Sequence, residues 1–258
     1  MKIVVLVKEV PDTYGARKLS LETGLAERGA SEPVMDEIDE RAIEVALSYA
    51  DATPGTEVVL LSMGPESAAA TVRKGLSMGA GSAVQVVDVG LLGADLGLTA
   101  EVLAAALRKV GFDLVIAGNL STDGSGGVVP AMVAELLDVP SATALSEVAI
   151  ANDGVTGVRT SDAASIRLSA SLPAVISITE ALPAGRLPNF KGMMAAKKAP
   201  YETLTLADLG VDAEDPNAAR SIVIGLTERP PRTGGVKITD EGDAGQKLAE
   251  FLIQNRLA

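Results

Sequence analysis

The ten residues Gly118-Asn119-Leu120-Ser121-Thr122-Asp123-Gly124-Ser125-Gly126-Gly127 are small, polar and glycine-rich, and through Val128 and Val129 they lead into a helical pattern. Loops of this kind present backbone N–H groups, hydroxyls and the positive end of a helix to an anion, which is the chemistry of a phosphate cradle. A turn followed by a helix cap is the plainer alternative. Two further loops weigh on the choice. Lys8-Glu9-Val10-Pro11-Asp12-Thr13-Tyr14 and Met63-Gly64-Pro65-Glu66, like the glycine-rich loop, each follow a short run of aliphatic residues. If those runs are parallel strands, ligands collect outside their carboxyl ends, and three polar loops in that position favour a bound molecule over a turn. What is missing narrows its class. No glycine precedes Lys-Ser or Lys-Thr as a Walker A loop requires, and Gly79-Ala80-Gly81 lacks a third glycine and precedes a strand-like run. A mononucleotide fits better than a dinucleotide.

Met35-Asp36-Glu37-Ile38-Asp39-Glu40-Arg41 puts Asp36 at a helix N-cap and Asp39 at the third helical position, a capping-box-like spacing that needs no purpose beyond starting a helix. Its four carboxylates would also attract Mg²⁺, but their spacing matches no calcium loop, and no metal is assigned. The segment from Arg186 to Lys198 interleaves Phe190, Met193 and Met194 with Lys191, Lys197 and Lys198 in an otherwise acidic chain. Met and aromatic residues beside positive charge suit an adaptable protein interface; the alternative is a loop whose methionines fold back into the core.

Composition removes whole classes of chemistry. The 258 residues include no Cys, His or Trp, so there is no thiolate nucleophile, imidazole base, disulfide or Cys/His metal site. Carboxylates, Lys, Ser/Thr or a bound cofactor must carry any reaction. With 22 Lys plus Arg against 34 Asp plus Glu, the net charge of −12 repels phosphate backbones, and nucleic acid is not expected as a partner. No apolar stretch is long enough to span a bilayer, and Ile3 to Val7 is too short for a secretory signal, so a cytoplasmic protein is expected.

The elements that must position these loops follow from periodicity. Residues 2–7, 57–62 and 113–117 read as strands buried on both faces, with 84–87 a fourth, and helical spacing separates them at Ile38 to Tyr49, Ala69 to Leu76 and Val102 to Val110. A further helix covers Ala131 to Leu137. Strands alternating with helices imply parallel crossovers in an open α/β sheet. Beyond Pro140, Leu145–Ile150, Gly154–Thr160, Ile166–Ser171 and Ala174–Thr179 are separated by turn residues and read as hairpins that extend the sheet. From Leu182 the breakers Pro183, Gly185, Pro188, Pro200, Pro216, Pro230 and Pro231 leave little room for a core, and residues 183–258 read as an arm that packs on something else, closing with an amphipathic helix at Asp243–Leu257. Residues 1–182 form the nucleotide-binding domain.

Taken in order, several segments resemble the beta subunit of electron transfer flavoproteins, the ETF-beta/FixA family. They are Ile3 to Asp12, Asp36 to Glu44, Val72 to Ala80, Ala117 to Gly127, Leu172 to Ser177 and Phe190 to Lys198, continued by Thr233-Gly234-Gly235-Val236-Lys237. The resemblance implies an open, mostly parallel, Rossmann-like sheet of the adenine-nucleotide alpha-hydrolase type. It also implies a heterodimer in which an alpha subunit carries most of the FAD and this chain binds AMP. Such carriers have no side-chain catalysis of their own; they take electrons from flavin dehydrogenases, such as the acyl-CoA dehydrogenases of fatty acid oxidation, and pass them to a quinone oxidoreductase. Carried over by motif, the AMP positions are Leu6, Asp36, Glu37, Ile38, Asp39, Met63 and Gly118 through Val129, with Ser121, Thr122 and Ser125 as phosphate donors; Thr13 or Tyr14 lies near the FAD. Phe190 matches the apolar anchor that docks in a partner dehydrogenase, with Lys191, Met193 and Met194 beside it.

Asp162-Ala163-Ala164 stands where the family often has Asp-Gly-Gly or Asp-Glu-Gly, and Ile166 where an acid near the flavin is sometimes found, so a flavin-tuning role for that acid does not carry over. Two alternatives stay open: a bifurcating carrier with a second FAD in place of AMP, and a universal-stress-type nucleotide-sensing module.

Overall fold

In the first strand, β1 (Lys2–Leu6), side chains alternate between two cores: Ile3 and Val5 face one, Val4 and Leu6 the other. That double burial recurs down the sheet and fixes a three-layer architecture. The computed structural model describes residues 1–15, 17–232, 234–235, 237 and 239–257. They divide into a unit of Met1–Ile224 and a unit of Gly225–Ala258.

In the first unit, β1 is followed by a two-stranded antiparallel excursion of β2 (Glu9–Pro11) and β3 (Pro33–Met35), then by α1 (Glu37–Ala52). The crossovers continue through β4 (Glu57–Met63), α2 (Ala69–Met78), β5 (Ser82–Val86), α3 (Leu96–Val110), β6 (Leu114–Gly118) and α4 (Val129–Leu137). Residues of α1 and α2 pack with Ile3, Val58, Leu60, Leu114 and Ile116, whereas those of α3 and α4 pack with Val4, Val59, Leu61 and Val115 on the other face. The parallel sheet with helices on both faces is the architecture that the alternating pattern predicts.

The remaining strands are β7 (Ser141–Ile150), β8 (Gly154–Thr160), β9 (Ser165–Ser171) and β10 (Ala174–Ile178). The first three form an antiparallel meander, as expected. β10 corrects the hairpin reading. It lies parallel to both β6 and β7, in the middle of the sheet rather than beside β9. Only Leu172 and Pro173 join β9 to β10, yet β10 pairs with neither β9 nor β8: it inserts between β6 and the first half of β7. All five residues of β10 are buried, which is the demand of an interior parallel strand.

Breakers do not keep the next stretch out of this unit. Residues after β10 form α5 (Phe190–Ala196) against α2, then β11 (Tyr201–Leu204) parallel to β5 at the sheet edge, then α6 (Leu206–Leu209). Ala196, Leu204 and Leu206 are buried. The full order is β11-β5-β4-β1-β6-β10-β7-β8-β9. The chain winds outward from β1 to β5 and then returns to β6 on the other side of β1, so strand order reverses between β1 and β6. A crevice opens at that reversal, outside the carboxyl ends of the two strands.

The second unit contains α7 (Ala244–Gln254), where the closing helix is expected; Lys247 pairs with Asp243 at 3.0 Å, and Leu248 and Phe251 are exposed. Thr233 and Val236 of the Thr233-to-Lys237 motif lie outside the described residues. No described helix is long and apolar enough to cross a membrane.

Candidate functional site

At the strand reversal, α1 packs on the neighbouring strands β1 and β6, which brings its first turn to the loops that follow them. Asp36 is the N-cap of α1 in backbone terms, but its side chain caps nothing. One carboxylate oxygen, Oδ2, accepts the Thr122 backbone N–H at 2.7 Å and the Thr122 hydroxyl at 3.2 Å. This overturns the capping-box reading. A local cap satisfies one orphan amide of its own helix, whereas here the carboxylate reaches into the glycine-rich loop. Asp36 is only 1% exposed, and its second oxygen, Oδ1, is buried with no hydrogen-bond partner among the described residues.

Asp39 turns the same way. Its Oδ2 accepts the backbone N–H of Lys8 at 2.7 Å, tying α1 to the end of β1. Burial, followed by the charge of Asp36, pushes its carboxyl well above the ordinary carboxylate range, against the hydrogen bonds from Lys8 and Gly118 and the Lys8 charge, which pull it down. Gly118 has no room for a side chain: a Cβ there would lie 2.5 Å from Ile38 Cγ2 and 2.9 Å from Asp39 Oδ1. The close approach of β6 to α1 thus requires glycine.

Asp123 closes the other side. Its carboxylate, 8% exposed, accepts from Lys8 Nζ at 2.7 Å and pairs with Arg28 at 2.9 Å. Burial raises its pKa, but the Lys8 hydrogen bond and charge, Ser121 and Arg28 outweigh burial and bring it down to about 2. Within the loop, Gly124 N–H donates to Asp123 Oδ1 and Ser121 Oγ, and Ser125 N–H donates to Ser121 O at 3.0 Å. Ser125 and Gly127 both adopt positive φ, 51° and 66°, which curls the loop before α4 begins.

Other sequence-predicted residues have different settings. Asn119, Leu120, Ser121, Thr122, Asp123, Gly124, Ser125, Gly126, Gly127 and Val128 form the connection between β6 and α4, and Val129 opens α4, with Pro130 in its first turn. Leu6 sends its side chain into the core on the α3 and α4 side, and Met63 packs at the margin of the same core. Ile38 is buried against the opposite face of the sheet. Glu37 points to solvent and pairs with Arg41 at 3.5 Å. Thr13 and Tyr14 lie on the excursion between β2 and β3, where Tyr14 is 99% exposed. Phe190, Lys191, Met193 and Met194 lie on α5; Phe190 is 75% exposed and both methionines are partly exposed, so they are not core residues.

Sequence reasoning missed three residues. Lys8 follows β1 at the strand reversal, a position that could have flagged its charge as a site charge. Arg28 comes from a short 3₁₀ turn in the excursion, and nothing local announces its meeting with Asp123. Leu187, flanked by Arg186 and Pro188 in the same segment as Phe190, was not singled out either and is 90% exposed.

Comparison with known proteins places this architecture. The family model described as Electron transfer flavoprotein domain matches residues 23–209. The electron transfer flavoprotein subunit beta of Mycobacterium tuberculosis is 45% identical over 99% of this chain and 98% of its own length. That of Bacillus subtilis is 32% identical over 83% of each chain. The caffeyl-CoA reductase-Etf complex subunit CarD of Acetobacterium woodii is 31% identical over 98% of this chain and 97% of its own. With this agreement over nearly the whole length and a polar crevice at the strand reversal, the chain belongs to the electron transfer flavoprotein beta-subunit family.

Proposed function

We propose that this chain is the beta subunit of a heterodimeric electron carrier, that its crevice binds AMP, and that it helps an alpha subunit hold FAD. The observation that carries the AMP assignment is Asp36. A buried carboxylate oxygen without a donor is costly, and one beside the glycine-rich loop at the strand reversal calls for a ligand N–H or O–H, such as a ribose hydroxyl or an adenine amine. Lys8 and Arg28 offset the charge of Asp123, and Ser121 and the loop amides that bond nothing within the loop supply donors for a phosphate, with Ser125 turning its hydroxyl from the Ser121 carbonyl to join them. Both Thr122 donors bond to Asp36, so Thr122 shapes the loop through that contact.

Bound FAD would supply the redox chemistry, accepting electrons from a flavin dehydrogenase and releasing them to a quinone oxidoreductase. The part of this chain is to bind and to dock. Thr13 and Tyr14, exposed on the excursion, are available to a flavin held by the alpha subunit. Leu187, Phe190, Met193 and Met194 are each exposed within one short stretch of chain that also carries Lys191, suited to a pocket on the donor dehydrogenase. Within residues 183–258, the stretch beyond Ile224 packs on the alpha subunit in this reading, and the complex works in the cytoplasm.

The test is to purify the chain with its co-purifying partner, denature the complex, and identify and count the released nucleotides by mass spectrometry. One FAD and one AMP per heterodimer is the expected result. Two FAD would replace AMP with a second flavin, and a flavin-free homodimer carrying AMP or ATP would replace electron transfer with nucleotide sensing.

A further inference from the structure

The segment that displays Leu187 and Phe190 is packed at its ends, where Leu182 and Ala196 meet the core, and has little apolar hold between them. Leu187 and Phe190 point outward, 90% and 75% exposed, and Pro183, Gly185 and Pro188 exclude regular backbone pairing between β10 and α5. Ordering such a stretch has an entropic cost that burial does not offset here. Polar contacts to two helices offset it instead. Arg41 donates to the Leu182 carbonyl at 2.5 Å, and Arg73 donates to the Ala196 carbonyl at 3.0 Å, which brackets the segment.

Between these brackets sits Arg186. Its backbone N–H and Nε donate to Glu44 Oε2 at 3.0 and 2.8 Å, its Nη2 donates to Glu44 Oε1 at 2.9 Å, and its Nη1 donates to Asp51 Oδ2 at 2.9 Å. Both acids are on α1, two turns apart. An isolated surface ion pair contributes little, but a two-pronged grip on one half-buried carboxylate, strengthened by the backbone amide and a second acid, fixes geometry. The Arg186 hydrogen bond holds the Glu44 carboxyl below its ordinary range, and Glu44 in turn raises the guanidinium. Gly192 then seats α5 directly on the Ser77 carbonyl of α2, where a Cβ would collide.

We propose that Arg186 is the positioning residue for docking: gripping Glu44 and Asp51, it presets the turn from which Leu187 and Phe190 project, so that the partner meets an already ordered surface. This rests on the reading of these two side chains as the docking anchor. Preordering removes an entropic cost from association and leaves the later electron transfer untouched, so its signature is in KM.

The experiment uses the intact heterodimer and an acyl-CoA dehydrogenase that reduces the wild type with saturation. Arg186→Gln and Glu44→Gln should each raise the apparent KM for the heterodimer about fivefold with kcat within about twofold, and should speed tryptic cleavage after Lys191. FAD and AMP content should not change. The reversed pair Arg186→Glu with Glu44→Arg should recover much of both effects, which a general loss of structure would not. An unchanged KM in Arg186→Gln, alongside a raised KM in Phe190→Ala or Leu187→Ala, overturns the positioning role alone. If Phe190→Ala and Leu187→Ala also leave KM unchanged, the docking assignment itself has failed, and the cleavage rates still report whether Arg186 orders the segment.

Discussion

Asp36 holds the backbone N–H of Thr122 at 2.7 Å across a separation of 86 residues, joining the first turn of α1 to the glycine-rich loop after β6. The bond spans the crevice where strand order reverses, and it is charge-assisted, with a buried carboxylate as acceptor. Because Thr122 takes only one oxygen, the same carboxylate that shapes the loop keeps a second acceptor, the one assigned above to the proposed nucleotide.

Substituting Asp36→Asn should separate these two tasks. The amide oxygen can still accept from Thr122, but an NH₂ donor then faces the ligand's donor. We expect AMP to bind about tenfold or more weakly, the loss of one charge-assisted hydrogen bond, with little change in melting temperature. Asp36→Ala should lose AMP and also about 1–2 kcal/mol of stability, because Thr122 is left without its acceptor. Isothermal titration with AMP and thermal melts of both variants check this.

Asp39 predicts a pH dependence. Its folded-state pKa lies above its unfolded value, so the stability linked to its proton is fully present below the unfolded value of about 3.9 and is lost as pH rises through the folded value. Asp39→Asn stays neutral and keeps an acceptor for Lys8 N–H. Relative to the wild type, this variant should therefore gain stability as pH rises, and parallel melting curves from pH 5 to 8 would count against a raised Asp39.

Lys8, Arg28 and Asp123 should show opposite signs. Removing cations with Lys8→Met or Arg28→Met leaves Asp123 uncompensated in the crevice, and AMP should weaken about tenfold, most at low salt. Asp123→Asn frees both cations to face an anion, and AMP should bind as well as or better than in the wild type. In the wild type, the Asp123 contacts add stability above about pH 3.9 that is lost as pH falls through about 2. Weaker binding in Asp123→Asn would instead make this carboxylate a direct ligand of the nucleotide.

Gly118→Ala is expected to disturb the crevice from within. The added methyl meets Ile38 and the Asp39 carboxylate, and forcing an atom into packed space costs about 1–3 kcal/mol. At this chain length that is a fall in melting temperature of roughly 2–10 °C, and added AMP should restore part of it. A melt with and without nucleotide measures both.

Much of this was legible in the residues. Runs such as Ile3 to Val7 and Leu114 to Ala117 are apolar at every position, which only strands buried on both faces require, and the three loops after them do meet one end of the sheet. The failures have physical causes. Asp36 and Asp39 sit at capping spacing, and a local pattern cannot reveal that Thr122 and Lys8 compete for those carboxylates from distant parts of the chain. Leu172-Pro173 is short enough for a hairpin, and turn chemistry alone does not say which strands the next one will pair with. The unbroken apolar run Ala174-Val175-Ile176, the same signal that marked the earlier strands, pointed to an interior position. Arg28 left no signal, because its excursion has neither period nor core.

The position of β10 has a consequence for synthesis. A ribosome delivers β1, α1, β6 and the glycine-rich loop early, yet Asn119 N–H at the root of that loop is satisfied by the carbonyl of Ile178, the last residue of β10. Until that strand emerges, β6 and β7 each have an open edge, and the nascent chain carries a template for unwanted pairing beside its half-built crevice. Stalled chains ending at Ser171 should therefore be cut readily by protease within β6 and the loop, while chains reaching beyond Ile224 should resist. A crevice made mostly of early residues is completed by a late one, which ties the birth of the proposed nucleotide site to the delivery of one five-residue strand.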